Sequence, residues 1–342
     1  VDGLWGSFVS PFMDGVIFFL IKNETLARVI LWGFDKGVLA WLSVGVPYIL
    51  TFYIVLSLLE DSGYLNSMAF LMDNIMHKFG LHGRSIIPIL TGAGCNVPAI
   101  MGTRVLTTKR ERILASTLIV LVPCSARTAV ILGAVAYLVG WNYALLIYII
   151  EVGLIGLVGW GLHRLLPGES SGLVMEMFPL RHPSALATIK KTWYRFRDFA
   201  FVAFPIVVIG SLGLGALFET GYLWAIANPM SPIVQGFLGL PAVAGICLIL
   251  GILRKELTLQ LLVALAMVQY GPSASNLLIF MTPLQLFVFA LVVTIYIPCV
   301  ATVAVLGREL GWRNALLIMA FTIILALVIG GIAYRVVPYL GL

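Results

Sequence analysis

Charged side chains are scarce in this chain. Asp, Glu, Lys and Arg make up 11% of its 342 residues, against about 25% in a soluble domain. Apolar residues take their place at 61%, and runs such as Ile113 to Val139 and Leu284 to Leu306 exceed the roughly 20 residues that cross a bilayer. Soluble enzymes and secreted domains are excluded. Cysteine is rare too: the four at positions 95, 124, 247 and 299 all lie in apolar segments, so no disulfide framework is expected. The four histidines, His77, His82, His163 and His182, have no metal-ligand spacing and fall in loops or at span ends. The chain also lacks a His-Glu-x-x-His helix, a Gly-x-Ser-x-Gly elbow and a Gly-x-x-x-x-Gly-Lys-Ser/Thr phosphate loop, which assigns it neither hydrolytic catalysis nor nucleotide hydrolysis. No enzymatic activity and no bound cofactor are expected.

What charge there is has a pattern. The formal net charge is +6, but Lys and Arg are spread through short loops and form no stripe for nucleic acid. Positive-inside topology explains them. Spans are expected at Trp5 to Ile21, Gly37 to Leu59, Ile113 to Val139, Tyr143 to Leu165, Phe199 to Phe218, Thr282 to Leu306 and Asn314 to Val337. The loop Arg104 to Arg112 and the segment His163 to Arg197 together carry ten of the 21 Lys and Arg and should be cytoplasmic. Gly140-Trp141-Asn142 and Glu219 to Gly239 carry none and should face outside. The aromatic and basic end of the Ser171 to Arg197 loop reads as a surface helix at the cytoplasmic interface. Without an initiator Met or the charged start of a signal peptide, the chain is expected to begin partway through a longer protein.

Two apolar stretches do not read as simple spans. Ile86 to Gly102 is interrupted by Gly92-Ala93-Gly94-Cys95-Asn96-Val97-Pro98, and Leu240 to Val268 by Arg254-Lys255-Glu256. Non-helical or charged backbone at membrane depth is tolerated only where protein buries it or water reaches it, so each is expected to be a re-entrant hairpin.

Comparing the chain with itself exposes a repeat. Pro123-Cys124-Ser125-Ala126-Arg127-Thr128-Ala129-Val130 resembles Pro298-Cys299-Val300-Ala301-Thr302-Val303-Ala304-Val305, and Gly140-Trp141-Asn142-Tyr143-Ala144-Leu145-Leu146 resembles Gly311-Trp312-Arg313-Asn314-Ala315-Leu316-Leu317. The second spacing is shorter by about one helical turn. The charge rule sends the first Pro-Cys helix outward and the second inward. The expected architecture is therefore an all-α polytopic membrane protein of inverted repeats, with two re-entrant hairpins and proline-broken helices, as in transporters that bind substrate near the midplane. Its segments are residues 1–36, an N-terminal span and connection; 37–165, the first repeat, with its hairpin at about 85–103 and broken helix at 113–139; 166–198, a cytoplasmic interfacial segment; and 199–342, the second repeat, with its hairpin at about 240–268 and broken helix at 282–306.

Proline in a helix frees the carbonyl four residues earlier, and free carbonyls beside thiols are cation ligands. Cys95 at a hairpin tip, with Cys124 and Cys299 at the two breaks, are the candidate transport ligands, because thiolates favour transition metals, ferrous iron among them. The plainer role is that of small buried residues, which Cys247 in its smooth apolar run is expected to fill. Asn96 either offers a carbonyl ligand or caps the hairpin's second helix. Lys255 and Glu256 either pair across their hairpin tip or take part in gating, and Arg127 and Glu151, inside spans, are expected to pair with each other.

These motifs together, with Leu59-Glu60-Asp61-Ser62-Gly63-Tyr64, Met72-Asp73, Gly80-Leu81-His82-Gly83-Arg84-Ser85, Gly94-Cys95-Asn96-Val97-Pro98-Ala99-Ile100-Met101, Thr103-Arg104, Cys124-Ser125-Ala126-Arg127 and Pro298-Cys299-Val300-Ala301-Thr302, resemble the membrane domain of the ferrous iron transport protein B family from about Gly37 to Val337. The resemblance implies a nucleoside-transporter-like fold and import of ferrous iron across the inner membrane of a prokaryote. It further implies a GTPase domain with its GTP and Mg2+, joined in cis or acting in trans, a small accessory transport protein and a homo-oligomer. Thr128-Ala129-Val130 departs from the family's more usual Leu-Pro-Val after the arginine. An ion-coupled nucleoside or other solute carrier of the same fold, and a non-transporting membrane anchor for a GTPase, are the competing readings.

Overall fold

The computed structural model describes residues 46–166, 182–219, 232–251, 277–296 and 299–340, with isolated positions between 15 and 42 and between 258 and 263. All regular structure among the described residues is helical. In chain order the helices are α1 (Val46–Asp61), α2 (Tyr64–Leu71), α3 (Asp73–Lys78), α4 (Ile86–Gly92), α5 (Asn96–Gly102), α6 (Lys109–Leu121), α7 (Ser125–Val130), α8 (Trp141–Leu165), α9 (Ala185–Glu219), α10 (Ala242–Gly251), α11 (Pro283–Ile295), α12 (Val300–Leu310) and α13 (Trp312–Val336). Five stretches among the described residues are long and apolar enough to cross a membrane: Lys109–Ala136, Trp141–Leu165, Ala185–Gly213, Pro283–Leu310 and Trp312–Val336. The protein is an all-α, multi-pass membrane protein. The expected span from Trp5 to Ile21 lies almost wholly outside the described residues, as do the second arm and tip of the hairpin expected at 240–268, with Lys255 and Glu256.

The chain divides into two compact units, one of residues 1–68 and 175–225, the other of residues 69–174 and 226–342. In the first, α1 packs along α9. Here the structure corrects the sequence reading: Ala185–Glu219 is one continuous helix of 35 residues, so the basic segment up to Arg197 and the span expected from Phe199 are a single element. The reason is charge pairing. Lys191 Nζ lies 3.5 Å from Asp61 and 3.8 Å from Glu60, Arg195 pairs with Glu60, and Asp61 also accepts the backbone N–H of Ser184 at 2.7 Å. Leu-Glu-Asp-Ser-Gly-Tyr is thus the acidic end of α1, which receives the basic first turns of α9. Deeper in the pair, the Thr192 hydroxyl meets Tyr53 O and Ser57 Oγ, and Tyr53 stands edge-on to Phe199 with centroids 6.4 Å apart.

In the second unit the order of elements recurs. α6 and α11 are each 13 residues long, and each opens on a threonine cap: Thr108 accepts from Glu111 N, and Thr282 forms a reciprocal capping box with Gln285. Each helix then breaks, restarts at a cysteine, and leads through a glycine with positive φ (Gly140 at 141°, Gly311 at 88°) into a 25-residue helix starting at Trp. Those glycines are required, because a side chain is strained in such backbone. The extra turn of the first repeat is taken up by a π-helical stretch, Ile131–Ala136.

α11 is the core of this unit. Leu286 to Ile295 are all buried, and α11 packs against α13 and the π-helical stretch. Close approach is bought with glycine: a side chain at Gly330 of α13 would collide with Val292 and come within 2.8 Å of Leu238, and one at Gly331 would strike the Phe237 ring. We expect Gly330→Leu to cost about 1–3 kcal/mol through overpacking, seen as a lower thermal unfolding midpoint in detergent. Gly156→Leu on α8, where a Cβ meets nothing within 4 Å, should leave the midpoint unchanged; equal midpoints for both variants would contradict this packing.

Candidate transport site

The interruption at 92–98 contains a turn between two short helices. α4 ends at Gly92, Ala93 and Gly94 make the turn, and α5 starts from Cys95 in extended backbone (φ −152°, ψ 132°). The tip rests on the end of α6: a Cβ on Gly92 would stand 3.3 Å from Ile119 Cγ2 and 3.6 Å from Val122 Cβ. On its other side α5 packs against α12, from the second repeat.

α6 ends where Pro123 requires it to, with Val122 extended (ψ 128°) ahead of the proline. Past the break, Ser125 donates both its backbone N–H (3.3 Å) and its hydroxyl (3.1 Å) to Gly94 O. This double bond ties the hairpin tip to the first break and sets Cys95 and Cys124 one residue to either side of the contact. Cys124 and Cys299 occupy equivalent positions immediately before α7 and α12, both part-exposed, and neither caps its helix with its side chain. Cys299 Sγ lies 3.3 Å from Thr302 Oγ1. Cys247 is fully buried in α10. No disulfide joins the four cysteines. Cys95 stands at the cap position just before α5, and Asn96, the first residue of the helix, is buried with Oδ1 lacking a hydrogen-bond partner. Asn96 is therefore not the cap of that helix. Among the described residues no group of three or more His, Cys, Asp or Glu side chains is placed to hold a metal ion; side chains of those types do not complete a binding site here.

Arg127 is fully buried and departs from its expected role. Its Nη1 donates to Val120 O (2.7 Å) and Val122 O (3.1 Å) at the end of α6, and its Nη2 to Tyr296 O (3.3 Å) just past the end of α11. No Arg127–Glu151 ion pair occurs among the described residues. The physical reason is the breaks themselves: they leave carbonyls without intrahelical donors, and the buried Arg127 lies within reach of both. Glu151 is buried in α8. Tyr296 is pinned in turn by its own hydroxyl, which donates to Leu248 O of α10.

The basic loop after the hairpin is already engaged. Arg104 binds Glu309 through both side-chain oxygens, and Arg112 reaches the same carboxylate at 3.0 Å, so the end of α12 is fastened to the start of α6. Arg110 bridges Leu166 O, Gly80 O and His163 Nδ1, while Lys109 is exposed. The Glu309 clasp escaped the sequence reading, since its only signal is one acid near the end of an apolar span.

Comparison with known proteins shows the family. The family model described as Nucleoside recognition (Gate) matches residues 42–138 and 200–313, and that of the Ferrous iron transport protein B C terminus matches residues 144–195. A relative named Fe(2+) transporter FeoB from Methanocaldococcus jannaschii is 32% identical over 93% of this chain and 51% of its own length. Its namesake from Staphylococcus aureus is 30% identical over 86% of this chain and 46% of its own, and that from Salmonella typhimurium 39% over 50% and 23%. The chain thus spans about half the length, or less, of these relatives. No solved structure matches it. With Gate segments on both sides of a ferrous iron transport protein B segment, the chain belongs to the ferrous iron transport protein B family, as a membrane domain of the Gate type.

Proposed function

We propose that this chain is the permease part of a ferrous iron importer in the inner membrane of a prokaryote, its two repeats crossing in opposite senses. The observation that carries the reading is the meeting of two broken helices, with Cys124 and Cys299 restarting them and Cys95 tied to the first break through Gly94 and Ser125. Freed backbone carbonyls at the breaks, with thiols at the residues that precede the restarted helices, suit a borderline transition-metal ion better than sodium, calcium or an organic solute. A GTPase domain, in cis or in trans, would supply GTP- and Mg2+-dependent control. The names of the relatives support ferrous iron as the substrate; a small accessory protein and a homo-oligomer belong to the same reading.

The test is uptake of labelled ferrous iron against labelled uridine in proteoliposomes, kept anaerobic and reducing. Iron flux without uridine flux is expected; uridine flux would favour the nucleoside carrier, and neither flux the anchor. Replacing Cys95 and Cys124 together by Ser should lower iron uptake about tenfold or more, while Cys247→Ser keeps the wild-type rate. Wild-type uptake in the double variant would remove the thiols from the path.

Control by a partner would act through the loop Arg104 to Arg112, because the Glu309 clasp links that loop to α12 and hence to Cys299. Lys109→Glu, at an exposed position, should reduce GTP-stimulated uptake while leaving basal flux and folded yield intact. Arg110→Glu should instead lower the folded yield, since that guanidinium holds two carbonyls and His163. Unchanged stimulation in the Lys109 variant would mean that the exposed charge serves orientation only.

A further inference from the structure

Of the three positions at which 123–130 and 298–305 differ, only position 127 carries a charge. In the alignment of 123–130 with 298–305, Arg127 faces Thr302. Thr302 turns to its own cysteine, with Oγ1 3.3 Å from Cys299 Sγ. Arg127 instead reaches a carbonyl 169 residues away in the other repeat and two more in its own. The C-terminal ends of α6 and α11 each carry about half a unit of negative charge, and Arg127 bridges them; in inverted-repeat transporters half-helix ends and unwound carbonyls of this kind coordinate the driving cation. The side chain that fills this place is itself a cation.

It fills the place incompletely. A guanidinium has five N–H donors; Nη1 serves two carbonyls and Nη2 one, while Nε is buried with no hydrogen-bond partner. A buried charge with a donor left over is held less firmly than its fully bonded counterpart. Two cations in contact repel strongly in a low-dielectric interior, so the guanidinium and a divalent ion exclude each other from these carbonyls.

Resting on the iron-import reading, we propose that Arg127 is a tethered cation occupying the ion position between the two helix breaks, so that ferrous iron enters only as the guanidinium swings away. The returning arginine then closes both breaks behind the ion. Arginine suits this because its planar fork spans carbonyls of two helices at once; a lysine ammonium is a point charge that cannot.

The experiment uses the intact natural protein in proteoliposomes loaded with a ferrous-chelating dye, and reads influx in the absence of GTP. Arg127→Ala should raise GTP-independent ferrous influx about tenfold, the gain expected when the open state of the wild type is populated at roughly a tenth. Added guanidinium chloride should bring the influx back toward wild type, whereas urea, a neutral molecule of the same shape, should not. A merely structural arginine would give lower folded yield and no selective rescue. Influx at the wild-type level in folded Arg127→Ala, or equal rescue by urea, overturns the proposal. If Arg127→Ala does not accumulate, Arg127→Lys replaces it: raised GTP-independent influx is expected, and a folded lysine variant with wild-type influx also overturns the proposal. Failure of the wild type to move iron even with GTP would instead refute the import reading.

Discussion

The hydrogen bonding of Arg127 is the constraint on which the second compact unit depends. Two helices that stop inside an apolar domain leave carbonyls that neither lipid nor a neighbouring strand can satisfy. One guanidinium answers for both ends, and in doing so it joins the first repeat to the second at the level of their breaks. Around that joint the other contacts fall into place. Ser125 holds the hairpin tip through Gly94, and Tyr296, whose carbonyl Arg127 takes, anchors α10 through its hydroxyl.

A second joint lies at the other end of the same elements. Glu309 closes the last turn of α12 against Arg104 and Arg112, so α12 is bound to the first repeat by charge at its end and by packing against α5. Motion of the loop at 104–112 therefore has two rigid routes to the breaks, one along α6 to Val120 and Val122, the other along α12 to Cys299. Coupling of this kind needs an element with two arrangements, and an arginine that either fills or leaves the carbonyl site supplies one.

Much of this was legible in the sequence because it is written in local chemistry. Pro-Cys followed by Gly-Trp, twice, marks the breaks and the glycine turns, and the Gly-rich interruption at 92–98 marks a hairpin tip. What was not legible lies across long separations. Arg127 beside Glu151 reads as an ion pair by the usual rule for charges in a membrane, and nothing local says that carbonyls of a helix 169 residues on would claim the guanidinium instead. Lys191 and Arg195 read as part of a surface helix at the interface because their acids, Glu60 and Asp61, sit over a hundred residues earlier. With those partners in place the basic segment needs no surface helix of its own and simply begins α9.

The most direct measurement of the central claim is anomalous scattering at the iron edge from crystals soaked anaerobically in ferrous salt. The account predicts a peak between the two helix breaks, near the carbonyls of Val120, Val122 and Tyr296 and the thiols of Cys124 and Cys299, with the Arg127 guanidinium displaced from those carbonyls. A peak elsewhere in the domain, with Arg127 still bonded to all three, would contradict it.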